Sequence, residues 1–305
     1  MSQDSEIELQ PVIDSSFTRK AKDTAAGFAG GVSQVLIGQP FDLIKVRLQT
    51  GQFQSPIEAF THTLKKEGPS AFYKGTAAPL FGVGACVSLQ FYAFHEARRQ
   101  LLKSGDGIQK ELSYKQFYVA GASAGIANTF ITAPVEQIRI LLQTQGNGAQ
   151  KIYNGPIDAI KKISKQSGVF KGLFRGFNVT LLREGQAYGV WFLTYEFVIN
   201  QLIKRSPPGT ERKDLPAWKL AASGALAGEA LWLSSYPLDV IKSRLQSDGF
   251  GPDRKYTSAW AITKKTYSKE GLRAFWKGLG PTLARAVPAS AGTFMTVESA
   301  MRVLG

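Results

Sequence analysis

The sequence predicts an all-α membrane protein, with six transmembrane helices and three short helices in threefold pseudo-symmetric order. Three observations carry this reading. One pattern of glycine, proline, acid, base and glutamine occurs three times in 305 residues, three uncharged runs are 18, 20 and 21 residues long, and the basic surplus sits in three segments. A repeat with a period near 100 residues divides the chain into like units rather than unrelated domains. The divisions fall at 21–104, 105–206 and 207–305, after an N-terminal extension over 1–20.

Each unit opens with a long helix. Its first marks are Gly27 and Gly31, Gly121 and Gly125, or Gly224 and Gly228, pairs that put two glycines on one face and permit close helix contact. Thirteen residues after the first glycine stands Pro40, Pro134 or Pro237. Proline removes a backbone hydrogen bond and kinks a helix, which lets three such helices converge at their ends. Two residues further comes an acid (Asp42, Glu136, Asp239), at five a base (Lys45, Arg139, Lys242), and at nine a glutamine (Gln49, Gln143, Gln246). A short polar helix follows and ends near Glu67-Gly68, Gly168 or Glu270-Gly271. The second long helix then starts at Lys74-Gly75, Arg175-Gly176 or Lys277-Gly278 and runs to Glu96, Glu196 or Glu298.

The uncharged runs are 24–41, 75–95 and 116–135, each about the length that a ~30 Å hydrocarbon core requires. The other long helices carry charge: Arg183-Glu184 in the fourth, Glu229 in the fifth and Arg285 in the sixth. Charge at membrane depth costs roughly 2.5–3.5 kcal/mol on insertion scales and normally faces a water-filled path. A soluble helical array accounts for the repeat but not for 20-residue uncharged runs.

The net charge is +14, and segments 45–74, 139–175 and 242–277 together hold 21 basic and 6 acidic residues. The positive-inside rule puts these segments in the inner compartment and, with six spans, both termini on the other side. The surplus is therefore a topology signal and not a nucleic-acid footprint. Residues 1–16 hold four acids and no base, unlike a secretory or Arg-rich transit segment. One cysteine, Cys86, excludes a disulfide scaffold, and with two histidines it offers no metal set. No nucleophile elbow or phosphate loop points to an enzyme, and no cofactor is implied.

Over about residues 20–303 these units resemble the mitochondrial carrier family. The resemblance rests on Pro-x-acid-x-x-base at the end of each odd helix and aromatic-base-Gly after each short helix. Gly38-Gln-Pro-Phe-Asp42 and Arg183-Glu184 resemble the carnitine/ornithine branch, and the wording as a whole is similar to fungal amino-acid carriers of that branch. The resemblance implies three short matrix helices, residence in the mitochondrial inner membrane and both termini in the intermembrane space. It implies the matrix-gate pairs Asp42–Arg139, Glu136–Lys242 and Asp239–Lys45, with Gln49, Gln143 and Gln246 as braces. On the cytoplasmic side only Glu96 keeps a base, Arg99, at the family spacing; Ile199 and Met301 stand where bases are expected, so that gate reads as the weaker one.

Arg183, Glu184 and Arg285 suit an amino acid. A guanidinium grips a carboxylate through two parallel hydrogen bonds, and Glu184 receives an ammonium. Mutual neutralisation of Arg183 by Glu184 is the structural alternative. Glu229 breaks the repeat, since Val32 and Ile126 are its equivalents, and reads as a second ammonium contact, a proton carrier or a structural pair. Ser88, Tyr92 and Trp191 are further cavity candidates. The expected function is exchange of an amino acid or similar zwitterion by alternating access; carnitine or acylcarnitine transport and basic amino-acid exchange are the alternatives. Helix N-termini beside Lys74-Gly75, Arg175-Gly176 and Lys277-Gly278 offer N–H groups to phosphate. The resemblance names cardiolipin as that ligand, with Gly155 at the matching position of the second short helix. The chain is expected to act as a monomer.

Overall fold

The computed structural model describes residues 17–103, 112–146, 151–250 and 254–304, and within them the chain is helical with no strand. The acidic stretch 1–16 lies outside the described residues. Unit one is α1 (Phe17–Gln49), α2 (Pro56–His62) and α3 (Ala77–Lys103). Unit two is α4 (Tyr114–Thr144), α5 (Pro156–Ser167) and α6 (Phe177–Lys204). Unit three is α7 (Ala217–Ser247), α8 (Ala259–Glu270) and α9 (Leu279–Leu304).

Local chemistry sets the boundaries. Ser113 and Gln116 form a capping box at the start of α4, with Ser113 N donating to Gln116 Oε1 at 2.8 Å. Pro56 and Pro156 occupy the first turns of α2 and α5, where their missing N–H costs nothing. Ser258 caps α8 by accepting from Ala261 N at 3.2 Å. Each short helix, α2 extended by the wider turn Thr63–Glu67, stops at a glycine with φ of +83° (Gly68), +76° (Gly168) or +73° (Gly271), a conformation that strains any other residue.

The six long helices close a ring in the order α1, α3, α4, α6, α7, α9. Four seams are long. The seams between α1 and α3 and between α7 and α9 are short. Glycine placement explains part of this. A Cβ on Gly121 or Gly125 would overlap the carbonyls of Tyr188 and Glu184, so α4 and α6 touch backbone to backbone. Gly27, Gly224 and Gly228 have nothing within 4 Å, so the expected close contact at these glycines forms in unit two and not at those positions of α1 and α7. Helix α1 instead approaches α9 through Gly30, against Val297, and Gly38, against Arg285.

The helices run unbroken through Pro40, Pro134 and Pro237. At this proline end the short helices pack on the long ones through three apolar clusters. Leu43, Ala59 and Phe72 centre the first, Leu141, Ala159 and Ile163 the second, and Ile241, Ile262 and Phe275 the third. Leu43, Ile163 and Ile262 are fully buried, each worth about 1.5–3 kcal/mol.

Among the described residues no helix is long and apolar enough, by hydropathy, to cross a membrane. The uncharged runs have the required length, but glycine, alanine, serine and glutamine fill much of them. Their length therefore carries less of the transmembrane expectation than it promises.

Candidate functional site

The proline ends of α1, α4 and α7 bring their acids and bases together in a cycle. Arg139 meets Asp42 at 2.7 Å, Lys45 meets Asp239 at 2.7 Å, and Lys242 meets Glu136. Every pair joins one unit to the next, so the ring shuts this end of the bundle around a residual cavity of about 80 Å³. Lys45 Nζ also lies 4.2 Å from the Trp232 ring centre, a cation–π contact that holds it on the pore side.

The glutamines behave unlike one another. Gln49 Nε2 donates to Asp239 Oδ2 at 2.8 Å, on the carboxylate that Lys45 holds. Gln246 donates to the Arg175 carbonyl at 3.3 Å instead, and the buried amide of Gln143 has no hydrogen-bond partner. Of the three glutamines, Gln49 alone bonds a gate carboxylate among the described residues. The position recurs in every unit, and Gln143 lines the small gate cavity beside Asp42 and Glu136 without bonding either.

Arg183 and Arg285 reach the gate from the even helices. Arg183, 6% exposed, pairs with its neighbour Glu184 and lies 3.4 Å from Glu136 and 3.7 Å from Asp239. The structural alternative of mutual neutralisation is therefore present in this state. Arg285 Nη1 sits 3.0 Å from Asp42 Oδ2, and the guanidinium lies 5.8 Å from the Trp232 ring centre. Its other nitrogens make no hydrogen bond among the described residues, which leaves one edge of the fork for a ligand carboxylate.

The other candidates lie apart from this cluster. Ser88 and Tyr92 are exposed on α3. Trp191 stacks on Tyr195 and lines a cavity of about 410 Å³ near the opposite end of the bundle, with Phe94, Phe117 and Glu196. Glu229 is half-buried and, among the described residues, makes no hydrogen bond or ion pair.

At the opposite end no cross-unit acid–base ring forms among the described residues. Glu96 pairs with Arg99 and Glu298 with Arg302, each within its own helix. Glu196, which lacks a base at 199, takes Arg212 from the connection after α6 at 2.7 Å. With the proline end latched and this end paired only locally, the bundle is closed at one end.

Sequence reasoning missed a clamp that holds the short helices. Arg47 binds Glu67 through two hydrogen bonds of 2.5 and 2.9 Å and also Thr63, while Lys74 binds Glu67 at 2.6 Å. Arg244, Thr266, Glu270 and Lys277 repeat this arrangement in unit three. Unit two has Leu141, Ile163 and Ser167 at these places, so α5 is held by apolar packing. The signal was the joint presence of arginine and glutamate in two units and their joint absence in the third.

Hydrogen bonds from Arg244, seconded by Lys277, lower Glu270 to about 2. A carboxylate lowered on folding adds stability above its ordinary value of about 4.3 and loses it as pH falls towards its folded value. Amide exchange in α8 should therefore accelerate relative to α5 in the same sample as pH falls from about 4 to about 2. Equal loss of protection in both helices would contradict a clamp confined to units one and three.

The cations expected to face lipid are engaged by protein: Lys74 by Glu67, Arg175 by Asp248 at 3.1 Å, and Lys277 by Glu270. Gly176 and Gly278 pack against the ends of α7 and α1; a Cβ on Gly278 would lie 3.0 Å from the Lys45 carbonyl oxygen. Gly75 and Gly155 share a cavity of about 240 Å³ with Lys151, where the starts of α3 and α5 meet.

A family model described as mitochondrial carrier protein matches residues 18–105, 110–206 and 213–305. The chain is 47% identical to the mitochondrial glycine transporter YMC1 of Saccharomyces cerevisiae, over 98% of this chain and 96% of that protein. It is 43% identical to the glutamate/glycine mitochondrial carrier ymc1 of Schizosaccharomyces pombe, over 95% and 97%. It is also 39% identical to the mitochondrial basic amino acids transporter of Bos taurus, over 91% and 90%.

Proposed function

The chain belongs to the mitochondrial carrier family, and from that premise we propose that it spans the mitochondrial inner membrane six times and exchanges a small amino acid by alternating access. Glycine and glutamate are the first substrates to test, because the relatives named for them match nearly the whole chain. The observation that carries the reading is the cyclic gate joined by two arginines. Carboxylate recognition and gate closure share one cluster, so binding has a direct way to act on opening.

Arg285 takes the substrate carboxylate through its unused edge, and Arg183 with Glu184 offers a second grip and an ammonium contact. Glu229, which lacks a partner among the described residues, is assigned the asymmetric end of the substrate or a proton. With Glu96 and Glu298 paired only within their own helices, the empty carrier rests open to the intermembrane space, where both termini lie.

Two features support membrane residence where hydropathy does not. Ile57, Ile157 and Trp260 stand at the same place in the three short helices and are all exposed, as amphipathic helices lying in an interface require. Tyr114 and Trp218 expose aromatic rings at the starts of α4 and α7, the pattern of an interfacial belt. Cardiolipin fits best at the cavity of Gly75, Gly155 and Lys151, where two helix N-termini and a lysine converge. The carrier acts as a monomer, its pore lying inside one chain.

The test is exchange by purified protein in liposomes, screening labelled glycine, glutamate, basic amino acids and carnitine. Glycine or glutamate should exchange fastest. Exchange of nucleotides, phosphate or dicarboxylates alone would overturn the amino-acid reading.

A further inference from the structure

The last carbonyls of a helix have no donor within it and need one from elsewhere. Here they find donors across the units. Gln52 Nε2 donates to the Thr144 carbonyl at 2.8 Å, Gln137 Nε2 to the Gln246 carbonyl at 3.1 Å, and Arg244 Nε to the Gln49 carbonyl at 2.8 Å. The three bonds run from unit one to two, two to three and three to one. Each acceptor is the last or next-to-last residue of a gate-bearing helix.

The repeat does not generate this circuit. Its donors stand at three different places: Gln52 beyond the end of α1, Gln137 three residues after Pro134, and Arg244 seven residues after Pro237. Gln137 is the most telling. Its equivalents, Leu43 and Val240, are buried apolar residues, whereas Gln137 is a fully buried amide whose Oε1 has no partner. Burying an amide there is costly, and its one bond is to the neighbouring unit.

We propose that Gln137 and Gln52, with Arg244, form a second latch of the matrix gate, holding helix-end carbonyls across the units independently of the ion pairs. This rests on the alternating-access reading above. The latch breaks whenever the odd helices part. Because two of its donors are neutral amides, their contribution does not depend on ionic strength.

Cys86, the chain's single cysteine, supplies the test. It is half-buried on α3, which packs along α4, the helix that carries Glu136 of the gate, so its labelling reports on opening there. Full-length protein in vesicles of known orientation is labelled with an impermeant maleimide from the matrix-facing side. Gln137→Met keeps the bulk but loses the donor, and should raise this rate about threefold to tenfold, in low and high salt alike. Gln52 is exposed, so Gln52→Ala decides the matter should Gln137→Met fold poorly.

A sided, substrate-sensitive rate in the wild type that both folded variants leave unchanged overturns the latch and spares the carrier reading. Labelling of the wild type that is equal from both faces and unmoved by glycine or glutamate removes the gate itself, and the latch with it.

Discussion

Arg285→Gln is expected to lower amino-acid exchange about 100-fold or more, chiefly by raising KM. The guanidinium spends one nitrogen on Asp42, at 3.0 and 3.2 Å from its two oxygens, and lies over Trp232. Its free edge can take a carboxylate through two charge-assisted bonds, together about 3–4 kcal/mol. Arg285→Lys keeps the charge and the hold on Asp42 but loses the fork, so it should recover only a small part of the loss. If Arg285 served Asp42 alone, both variants would leave KM in place and change Cys86 labelling instead. Exchange kinetics in liposomes, with labelling alongside, separate the two roles.

The second large effect concerns stability. Glu67→Ala should destabilise the protein by about 3–5 kcal/mol, because it strands the Arg47 guanidinium in a buried place. Arg47 and Glu67 side chains are 3% and 7% exposed, so water gives little relief. Unit two shows the remedy, since Leu141, Ile163 and Ser167 replace the same group with apolar packing. Adding Arg47→Leu and Thr63→Ile, with Ser rather than Ala at 67, should recover most of the loss, as apolar replacement of buried ion pairs often does. Thermal unfolding in detergent measures both. A triple variant as unstable as Glu67→Ala would mean that the clamp has a role beyond packing α2.

What the sequence made legible follows from what recurs. The gate residues could be placed because proline, acid and base keep one spacing in all three units; a threefold ring allows two cyclic pairings, and the family resemblance supplied the one expected. The Arg47 and Arg244 clamps escaped because unit two lacks them, and a reading built on threefold agreement discards what occurs twice. The hydrogen bonds of the three glutamines differ for the opposite reason. Gln49, Gln143 and Gln246 are equivalent in sequence, but the ring around them is not symmetric, with long seams at α4 and α6 and short ones at α1–α3 and α7–α9. The engagement of Arg183 and Arg285 with gate acids was hidden because helical register gives a residue's height and face, but not which carboxylate its long side chain reaches.

The composition of the gate cluster bears on energetics at the membrane. Lys45, Arg139, Lys242, Arg183 and Arg285 stand among Asp42, Glu136, Asp239 and Glu184, five cations to four anions. Empty, the cluster carries one surplus positive charge. A zwitterion such as glycine leaves that surplus as it was, whereas an anion such as glutamate cancels it. The two legs of a glycine–glutamate exchange would therefore feel the transmembrane voltage differently, at about 2.3 kcal/mol per unit charge for each 100 mV. Over a full cycle the cluster's own charge cancels, so the spare cation acts on the rate of each leg, while the voltage acts on net exchange through the one charge by which the two substrates differ.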